Sequence, residues 1–339
     1  MLELTSVTLG QWKLWDGPQY HGFCLGVCVS VALVMCVSVY YYFVKVADRC
    51  TCTTRLDGKT VIITGANTGI GKETAVDLAH RGARVILACR SESRGIQAER
   101  EIREQTGNSH VHFMRLDLAS QESVKEFAQE FCNREDRLDI LINNAGVIND
   151  GSAQTAEGYE LSFGVNHLGH FLLTNLLLAK LQSSSPSRVI NVSSDAYQLG
   201  RLGFQDGAGL LCGKEGRVKL YARSKLANLL FTHELAKTME GTDVAIFALH
   251  PGSINTDIKR NWAWWLRTLS PLISFLFLKT TTEGAQTTIH CAVAEDLQKH
   301  SGKYFKGCRV QKVAPMARDD KLSRKLWRVS LQMTGLTNT

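Results

Sequence analysis

Residues 60–71 read TVIITGANTGIG, an apolar run that leads straight into a turn with glycines at 65, 69 and 71. The run TVIIT has the length and β-branched content of a buried strand, and helical periodicity begins after the turn. Glycines in such a turn let the backbone approach a pyrophosphate closely, while the N-terminus of the following helix presents N–H groups and a positive dipole to it. The stretch therefore predicts a strand, a phosphate-binding turn and a helix, the first unit of a dinucleotide-binding fold.

The same alternation of strand and helix continues along the chain. Further strands are predicted at 84–88, 111–116, 139–143, 188–192 and 243–249, and the helical segments between them include 70–81, 123–131 and 163–181. Strands that alternate with helices predict an α/β fold, a doubly wound parallel sheet of the Rossmann type with helices on both faces. One core is evident, so we expect a single domain over residues 57–339.

The N-terminal region has a different character. Residues 22–44 read GFCLGVCVSVALVMCVSVYYYFV, 23 residues without a charge. About 20 apolar residues in a helix cross a bilayer, and the tyrosine cluster suits a membrane interface. The pattern predicts a transmembrane anchor at 22–44 between a tail at 1–21 and a juxtamembrane linker at 45–56, with a buried core helix as the alternative. Basic residues are concentrated after the segment, which places the domain in the cytosol.

Composition limits the other partners. The net charge of +7 suits an anionic cofactor or a membrane surface, but the basic residues are scattered, so no nucleic-acid partner is predicted. The ten cysteines show no metal-ligand spacing, so no metal site is predicted and free thiols are expected. Cys50 and Cys52, which follow the apolar run, are either S-acylated or unmodified.

The end of the second predicted strand bears on the choice of nicotinamide cofactor. An acidic residue there would hold the ribose 2′-hydroxyl of NAD, and a basic residue would hold the 2′-phosphate of NADP. The strand ends ACR, which places Arg90 at this position, and Lys72 is a second possible charge. Because a guanidinium can form two hydrogen bonds to a phosphate, Arg90 favours NADP(H), although a surface arginine is the alternative.

Residues 221–225 read YARSK, which places a tyrosine and a lysine four positions apart on one helix face. Such pairs are common by chance. Six motifs in a fixed order give this one its meaning: TGANTGIG (64–71), NNAG (143–146), NHLG (166–169), NVSS (191–194), YARSK (221–225) and HPG (250–252). Over about residues 57–310 the chain resembles the short-chain dehydrogenase/reductase family. The stretches GVNHLGHFLLTNLLL and EGAQTTIHCA are similar to its membrane-bound retinol dehydrogenases, which act on retinoids and other lipid aldehydes.

This resemblance implies a catalytic set of Tyr221, Lys225, Ser194 and Asn166. Tyr221 would donate or accept the proton, and Lys225 would lower the pKa of the phenol and hold the nicotinamide ribose. Ser194 would bind and orient the substrate oxygen, and Asn166 would hold a water that relays protons through Lys225. Since strand side chains alternate faces, only one of Ser193 and Ser194 can point into the site, and the family pattern selects Ser194.

The resemblance also implies a cofactor-binding set along one edge of the sheet. It comprises Gly65, Asn67, Thr68, Gly69, Ile70, Gly71, Arg90, Asp117, Leu118, Asn144, Ala145, Gly146, Tyr221, Lys225, Pro251 and Gly252. Asp117 and Leu118 would lie near the adenine, and Ser253 or Thr256 near the nicotinamide amide or the phosphates. Asn143 either supports the adenosine half or holds neighbouring loops together.

The segment NWAWWLRTLSPLISFLFLK (261–279) holds three of the six tryptophans and few charges. It predicts an apolar substrate lid over about 253–281 or a surface that dips into the bilayer, with ordinary helix packing as the alternative.

Together these features predict an NADP(H)-dependent oxidoreductase that interconverts retinaldehyde, or a similar lipid aldehyde, and retinol, mainly in the reductive direction. It would be a single-pass protein of the endoplasmic reticulum membrane, in contact with membrane lipid, with a lipophilic, retinoid-like substrate. Helices of this family often pair, which makes a homodimer an expected assembly. A steroid or other keto-lipid dehydrogenase is the alternative, followed by a non-catalytic dinucleotide-binding membrane scaffold.

Overall fold

The computed structural model describes residues 18–42, 48–205, 209–210, 216–252 and 279–336. The chain divides into two compact units, residues 1–47 and residues 48–339. In the first unit, helix α1 (Pro18–Tyr41) covers most of the predicted anchor, and apolar side chains such as Leu25 and Leu33 are exposed. Over the described residues, no helix meets the combined length and apolarity required to cross a membrane. The predicted anchor therefore stays a prediction.

The second unit is built on a sheet to which the described residues contribute eight strands. These are β1 (Thr60–Thr64), β2 (Arg84–Cys89), β3 (Val111–Arg115), β4 (Ile140–Asn143), β5 (Ser187–Val192), β8 (Val244–His250), β9 (Tyr304–Lys306) and β10 (Arg309–Gln311). Two short strands, β6 (Phe204–Gln205) and β7 (Gly209–Leu210), pair separately. The spatial order is β3-β2-β1-β4-β5-β8-β9-β10, and every pair is parallel except β9 with β10. The predicted α/β sheet is confirmed, and each of its six predicted strands matches to within one residue at either end.

Helices cover both faces of this sheet. They are α2 (Gly69–His80), α3 (Glu92–Thr106), α4 (Gln121–Arg134), α5 (Leu161–Phe163), α6 (His170–Ser183), α7 (Arg217–Thr238), α8 (Thr281–Val293) and α9 (Asp320–Thr334). A π-helical segment, Gly164–Gly169, joins α5 to α6 within the predicted helical stretch 163–181. The sequence analysis gave no prediction for β9, β10 or α9.

Strand β1 shows why the sheet is covered on both sides. All five of its residues are buried. Because side chains alternate along a strand, Val61 and Ile63 enter one apolar cluster and Ile62 enters the cluster on the opposite face. An uninterrupted apolar run is the expected sequence of a parallel strand with helices above and below it.

The outer edge of β3 is closed by side chains of α3. The backbone N–H of Phe113 donates to Glu99 Oε2 at 2.7 Å, and Arg103 Nε donates to the backbone carbonyl of Val111 at 2.8 Å. Glu99 and Arg103 are also ion-paired, at 2.8 Å.

Residues 48–56, expected to belong to a linker, pack on the domain. Leu56 is buried, and its backbone N–H donates to the carbonyl of Arg81 at 2.8 Å. The Arg81 guanidinium in turn donates to the carbonyls of Cys52 and Thr54 at 2.8 and 3.0 Å. This segment is thus tied to the end of α2.

Candidate active site

The glycine turn after β1 forms a cradle of backbone. Gly65 and Gly69 have φ angles of +66° and +61°, which L side chains rarely adopt. A Cβ on Gly71 would lie 2.5 Å from Asn144 Nδ2 and 2.6 Å from the carbonyl oxygen of Gly65. The exposed Thr68 is the N-cap of α2, and its side chain makes no capping hydrogen bond. Free N–H groups at a helix N-terminus, beside backbone bare of side chains, fit a pyrophosphate.

The turn is fastened to the loop after β4. The Thr64 hydroxyl oxygen accepts hydrogen bonds from the backbone N–H groups of Asn144 and Ala145, each at 2.9 Å. Asn144 Nδ2 donates back to the Thr64 carbonyl at 2.8 Å. Strands β1 and β4 are neighbours where the strand order reverses, and the crevice outside the carboxyl ends at such a point is where this fold binds dinucleotides.

The basic residues near the end of β2 differ in their surroundings. Arg90 is exposed immediately after the strand. Lys72, the second candidate for a 2′-phosphate contact, is instead ion-paired with Glu101. Farther along the same edge, Asp117 Oδ1 accepts from the backbone N–H of Ala119 at 3.0 Å, and Leu118 is buried.

Asn143 connects neighbouring elements of the fold. Its side chain is buried, and Nδ2 donates to Thr174 Oγ1 at 2.9 Å and to Asn191 Oδ1 at 2.8 Å. These bonds join β4 to α6 and β5. Of the two roles considered for Asn143, the structural one matches this geometry.

Tyr221 and Lys225 lie one turn apart on α7. Lys225 Nζ is 5.4 Å from the centre of the tyrosine ring and donates to the carbonyl of Val192 at 2.9 Å. Burial lowers the pKa of Lys225 to about 8. Burial also raises the pKa of Tyr221, and a hydrogen bond with Ser194 opposes that rise. In this structure desolvation outweighs that hydrogen bond. The expectation that Lys225, together with the oxidised nicotinamide, lowers the pKa of Tyr221 stays a prediction.

The two serines after β5 point in different directions. Ser193 is buried, and its hydroxyl donates to the backbone carbonyl of Lys225 at 2.8 Å. Ser194 bonds with the side chain of Tyr221, and its Oγ accepts from the backbone N–H of Ala196 at 3.2 Å. Ser194, Tyr221 and Lys225 are thus brought together, while Ser193 fixes α7 against the strand.

Asn166 lies in the π-helical segment, and its side chain is fully engaged. Oδ1 accepts from the backbone N–H of Val147 at 2.7 Å, and Nδ2 donates to the Val147 carbonyl and to Ser224 Oγ, each at 2.9 Å. A Cβ on Gly146 would lie 3.5 Å from both Asn166 Oδ1 and Lys225 Nζ, so the loop after β4 closes over this end of the catalytic set.

Two residues that the sequence analysis missed adjoin the set. His170 is buried, and burial lowers its pKa to about 4, so the ring is neutral at pH 7. Its Nδ1 lies 3.1 Å from the Asn166 carbonyl and its Nε2 lies 2.9 Å from Thr64 Oγ1. A carbonyl can only accept, so Nδ1 carries the proton and the Thr64 hydroxyl donates to Nε2. His170 thereby links the cofactor turn to Asn166. No spacing signals such a histidine within the apolar stretch NHLGHFLL.

The second is Asp195, directly after Ser194. It accepts from the hydroxyl of Tyr304 at 2.9 Å and from Lys306 Nζ at 2.7 Å, and His250 Nε2 lies 3.6 Å away. Hydrogen bonds from Lys306 and Tyr304, together with the charge of Lys306, hold the pKa of Asp195 below its ordinary value against the effect of burial. Through these contacts Asp195 connects the segment that follows Ser194 to β8 and β9.

The HPG motif begins with His250, near Asp195, and continues into the loop after β8. Pro251 is buried, and Gly252 has a φ angle of +96°. A Cβ on Gly252 would lie 2.7 Å from Lys279 Cδ, and Lys279 is ion-paired with Asp48 at 2.8 Å. Ser253, Thr256 and most of the predicted lid lie outside the described residues.

Comparison with known proteins agrees with this arrangement. The short chain dehydrogenase family profile matches residues 59–266, which hold the glycine turn and all four candidate catalytic residues. The chain belongs to the short-chain dehydrogenase family. It is therefore an oxidoreductase.

Individual relatives are close. The chain is 48% identical to retinol dehydrogenase 11 of Homo sapiens over 292 residues, covering 85% of this chain and 89% of the relative. It is 50% identical to retinol dehydrogenase 12 of Mus musculus over 289 residues, covering 85% and 90%. Among solved structures, a short-chain dehydrogenase from Shigella flexneri complexed with NADP is 25% identical with a TM-score of 0.61, and the match covers 76% of this chain and 100% of that one.

Proposed function

We propose that this enzyme uses NADPH to reduce retinaldehyde, or a similar lipid aldehyde, to the alcohol. The observation that carries the proposal is the grouping of Ser194, Tyr221 and Lys225 beside a backbone cradle that fits a pyrophosphate. Two relatives at 48% and 50% identity bear the name retinol dehydrogenase, which supports a retinoid substrate.

The side chains divide the chemistry between them. The bound nicotinamide supplies the hydride and, once oxidised, a positive charge near the phenol. Ser194 donates a hydrogen bond that positions the carbonyl oxygen, and Tyr221 gives that oxygen its proton. The raised pKa of Tyr221 keeps the phenol protonated at neutral pH, which suits the reductive direction. The Lys225 ammonium stabilises the phenolate that remains.

The buried residues behind the site would form the route by which Tyr221 regains its proton. Lys225 has a pKa of about 8, close enough to neutrality to give and regain a proton. A water held by Asn166 would connect Lys225 to solvent. His170 donates to the backbone carbonyl of Asn166 and so helps to fix the position of that residue.

We infer that Arg90 sets the preference for NADP(H). It is exposed at the end of β2, where the 2′-phosphate would lie, whereas the charge of Lys72 is already paired with Glu101. The N-terminus of α3 begins two residues later, and its N-cap Ser91 makes no capping bond. A guanidinium and a helix N-terminus together favour a phosphate over a hydroxyl.

We further propose that residues 22–44 anchor the enzyme in the endoplasmic reticulum membrane with the catalytic domain in the cytosol. The exposed apolar side chains of α1 and the basic residues after residue 44 support this arrangement. A substrate that partitions into lipid would then be collected through the apolar segment 261–279. Alkaline carbonate extraction of the full chain, followed by protease protection of a C-terminal epitope, tests the insertion and the orientation.

The central test uses membranes from cells that express the chain, supplied with all-trans-retinaldehyde and either NADPH or NADH. We expect retinol to form with NADPH and to be lost in Tyr221→Phe. Tyr159→Phe is the matched control, because the Tyr159 hydroxyl donates to the Met333 carbonyl outside the catalytic set, at 2.9 Å.

The remaining outcomes separate the alternatives. Turnover of steroid ketones but not of retinaldehyde would replace the substrate and keep the chemistry. Tight NADPH binding with no Tyr221-dependent turnover on any lipid carbonyl would favour the non-catalytic scaffold.

A further inference from the structure

Away from the catalytic set, the fold brings two cysteines and a histidine together. The Sγ atoms of Cys50 and Cys52 and one ring nitrogen of His290 all lie within 4.8 Å of one another. The cysteines belong to the segment that enters the domain, and His290 belongs to α8. All three side chains are partly buried, so they are shielded from solvent without being closed off from it.

Backbone contacts hold these residues in place. The N–H of Cys50 donates to Gln286 Oε1 at 3.1 Å, and Gln286 lies one turn before His290 on the same face of α8. On the other side, Arg81 donates to the carbonyl of Cys52 at 2.8 Å. Both cysteines also pack against the apolar cluster under the sheet. The arrangement is thus fixed from both flanks and does not depend on the thiols themselves.

A third cysteine adjoins the same two segments. Cys308 lies in the turn between β9 and β10, with a φ angle of +57°. Its Sγ is 3.4 Å from the Asp48 carbonyl oxygen and 3.5 Å from the Gln286 carbonyl oxygen. The single thiol proton can be donated to either carbonyl, and both contacts are weak, so they restrain the Cys308 side chain only loosely beside these two segments.

We propose that Cys50, Cys52 and His290 bind a zinc ion, with Cys308 as the fourth ligand. Two or three sulfurs with one imidazole form a ligand set that zinc takes in structural sites, and soft thiolates disfavour magnesium and calcium. Bonds of about 2.3 Å to sulfur and about 2.0–2.1 Å to nitrogen place tetrahedral ligand atoms about 3.5–3.8 Å apart. The three ligand atoms now lie within 4.8 Å of one another, so shifts of about 1 Å bring them to these distances.

The position of the cluster makes the ion structural. Arg188, at the beginning of β5, donates to the carbonyls of Cys291 and Ala294 at the end of α8, at 3.0 and 2.8 Å. The end of α8 that carries His290 is therefore near the amino ends of the strands, whereas the catalytic set lies at their carboxyl ends. Zinc bound by Cys50, Cys52 and His290 would join residues 50–52 to α8 and so support the fold.

Linear spacing gave no sign of this site. One residue separates Cys50 from Cys52, and His290 and Cys308 lie more than 230 positions later in the sequence. The prediction that no metal binds rested on the absence of closely spaced ligand residues, and a site that includes His290 does not have that spacing.

The test uses the full chain purified in detergent with an affinity tag that contains no histidine. We expect one zinc per chain by elemental mass spectrometry after loading and desalting, and replacement by cobalt should give intense thiolate charge-transfer and tetrahedral ligand-field absorption. A Cys50→Ser/Cys52→Ser double variant and a His290→Gln variant should lose the metal. Cys132→Ser, which changes a partly buried cysteine on α4, is the matched control and should keep it.

Stability measurements complete the test. Zinc should raise the Tm of the wild-type protein and of Cys132→Ser, but not that of the double variant, because only a ligand bound to the native state stabilises it. NADPH binding by each variant shows that it is folded. A wild-type protein that retains no zinc, or a folded double variant that retains as much, would overturn the proposal. So would an acyl chain on Cys50 or Cys52 in protein isolated from eukaryotic cells, since a thioester sulfur is a poor zinc ligand.

Discussion

The apolar core around β1, β2 and α4 and the polar crevice around α7 are both buried, but their side chains differ in polarity. In the core, Ile62, Ile86 and Phe127 are each no more than 1% exposed and belong to one apolar cluster. In the crevice, Asn166 is 0% and Lys225 3% exposed. Burial of apolar area stabilises a fold by about 25 cal/mol per Å², whereas burial of polar groups costs free energy unless they are paired. The first region therefore supports the fold and the second carries the chemistry.

The cost at Lys225 follows from its pKa. On folding, the pKa falls from 10.5 to about 8. Below pH 8 the lysine is charged in both states, so the penalty for burying the ammonium is fully present. The penalty shrinks as the pH rises from about 8 toward 10.5, where the unfolded chain also loses its proton. A shift of this size corresponds to about 3 kcal/mol of destabilisation at neutral pH.

The largest effect is expected from Tyr221→Phe. Loss of the proton donor should lower kcat/KM for aldehyde reduction about 10⁴-fold, or about 5.4 kcal/mol of transition-state stabilisation. The free energy of unfolding should change little, because only the bond with Ser194 is lost. Steady-state kinetics and thermal unfolding check the two statements. A large stability change would show that the crevice also supports the fold.

Phe127→Ala should have the opposite profile. The substitution removes a fully buried ring that lies 6.4 Å from Phe131, centre to centre, and should destabilise the protein by about 3–5 kcal/mol. Chemical denaturation measures the change. The kcat per folded molecule should stay at the wild-type value, and a fall of more than a few fold would show that core and crevice are coupled.

Lys225→Met should raise the stability of the protein and abolish its reductive activity, which sharpens the contrast between the two regions. Removal of the buried ammonium relieves about 3 kcal/mol at pH 7, and loss of the hydrogen bond to Val192 costs about 1 kcal/mol, so the variant should be about 2 kcal/mol more stable. The gain should disappear as the pH approaches 10.5. Reductive activity should be lost, whereas in the wild-type enzyme it should fall as the pH rises through about 8. A variant that is less stable at pH 7 would contradict the assigned cost.

Arg90→Ala should give the smallest effect, since it changes neither region. We expect the KM for NADPH to rise about tenfold, about 1.4 kcal/mol, with little change in the KM for NADH. Arg115→Ala, at the end of the neighbouring strand β3, removes another exposed arginine and should leave both constants unchanged. Equal losses for NADPH and NADH would remove Arg90 from the choice of cofactor.

The apolar region could be predicted from the sequence almost completely, and the crevice only in part. Short, β-branched apolar runs such as TVIIT, flanked by turn residues and helical segments, predict buried parallel strands, because such strands need apolar side chains on both faces. Tyr221, Lys225 and Ser194 could be named as candidates because the order of the motifs resembles that of the short-chain dehydrogenase/reductase family. The pairing of Lys72 with Glu101, the link from His170 to Thr64, and the approach of His290 to Cys50 all join residues distant in sequence. Such contacts depend on the completed fold and leave no local pattern.

The closure of β3 by Glu99 and Arg103 has a consequence for the protein's behaviour at high concentration. An open strand edge is a template on which another chain can add, and such addition leads to aggregation. At this edge the backbone groups of Phe113 and Val111 are already occupied by side chains of the same molecule. At the opposite edge, β10 is three residues long, begins with an arginine and is exposed throughout. The sheet therefore resists extension from either side, so high protein concentrations should favour contacts between helices over fibril-like growth.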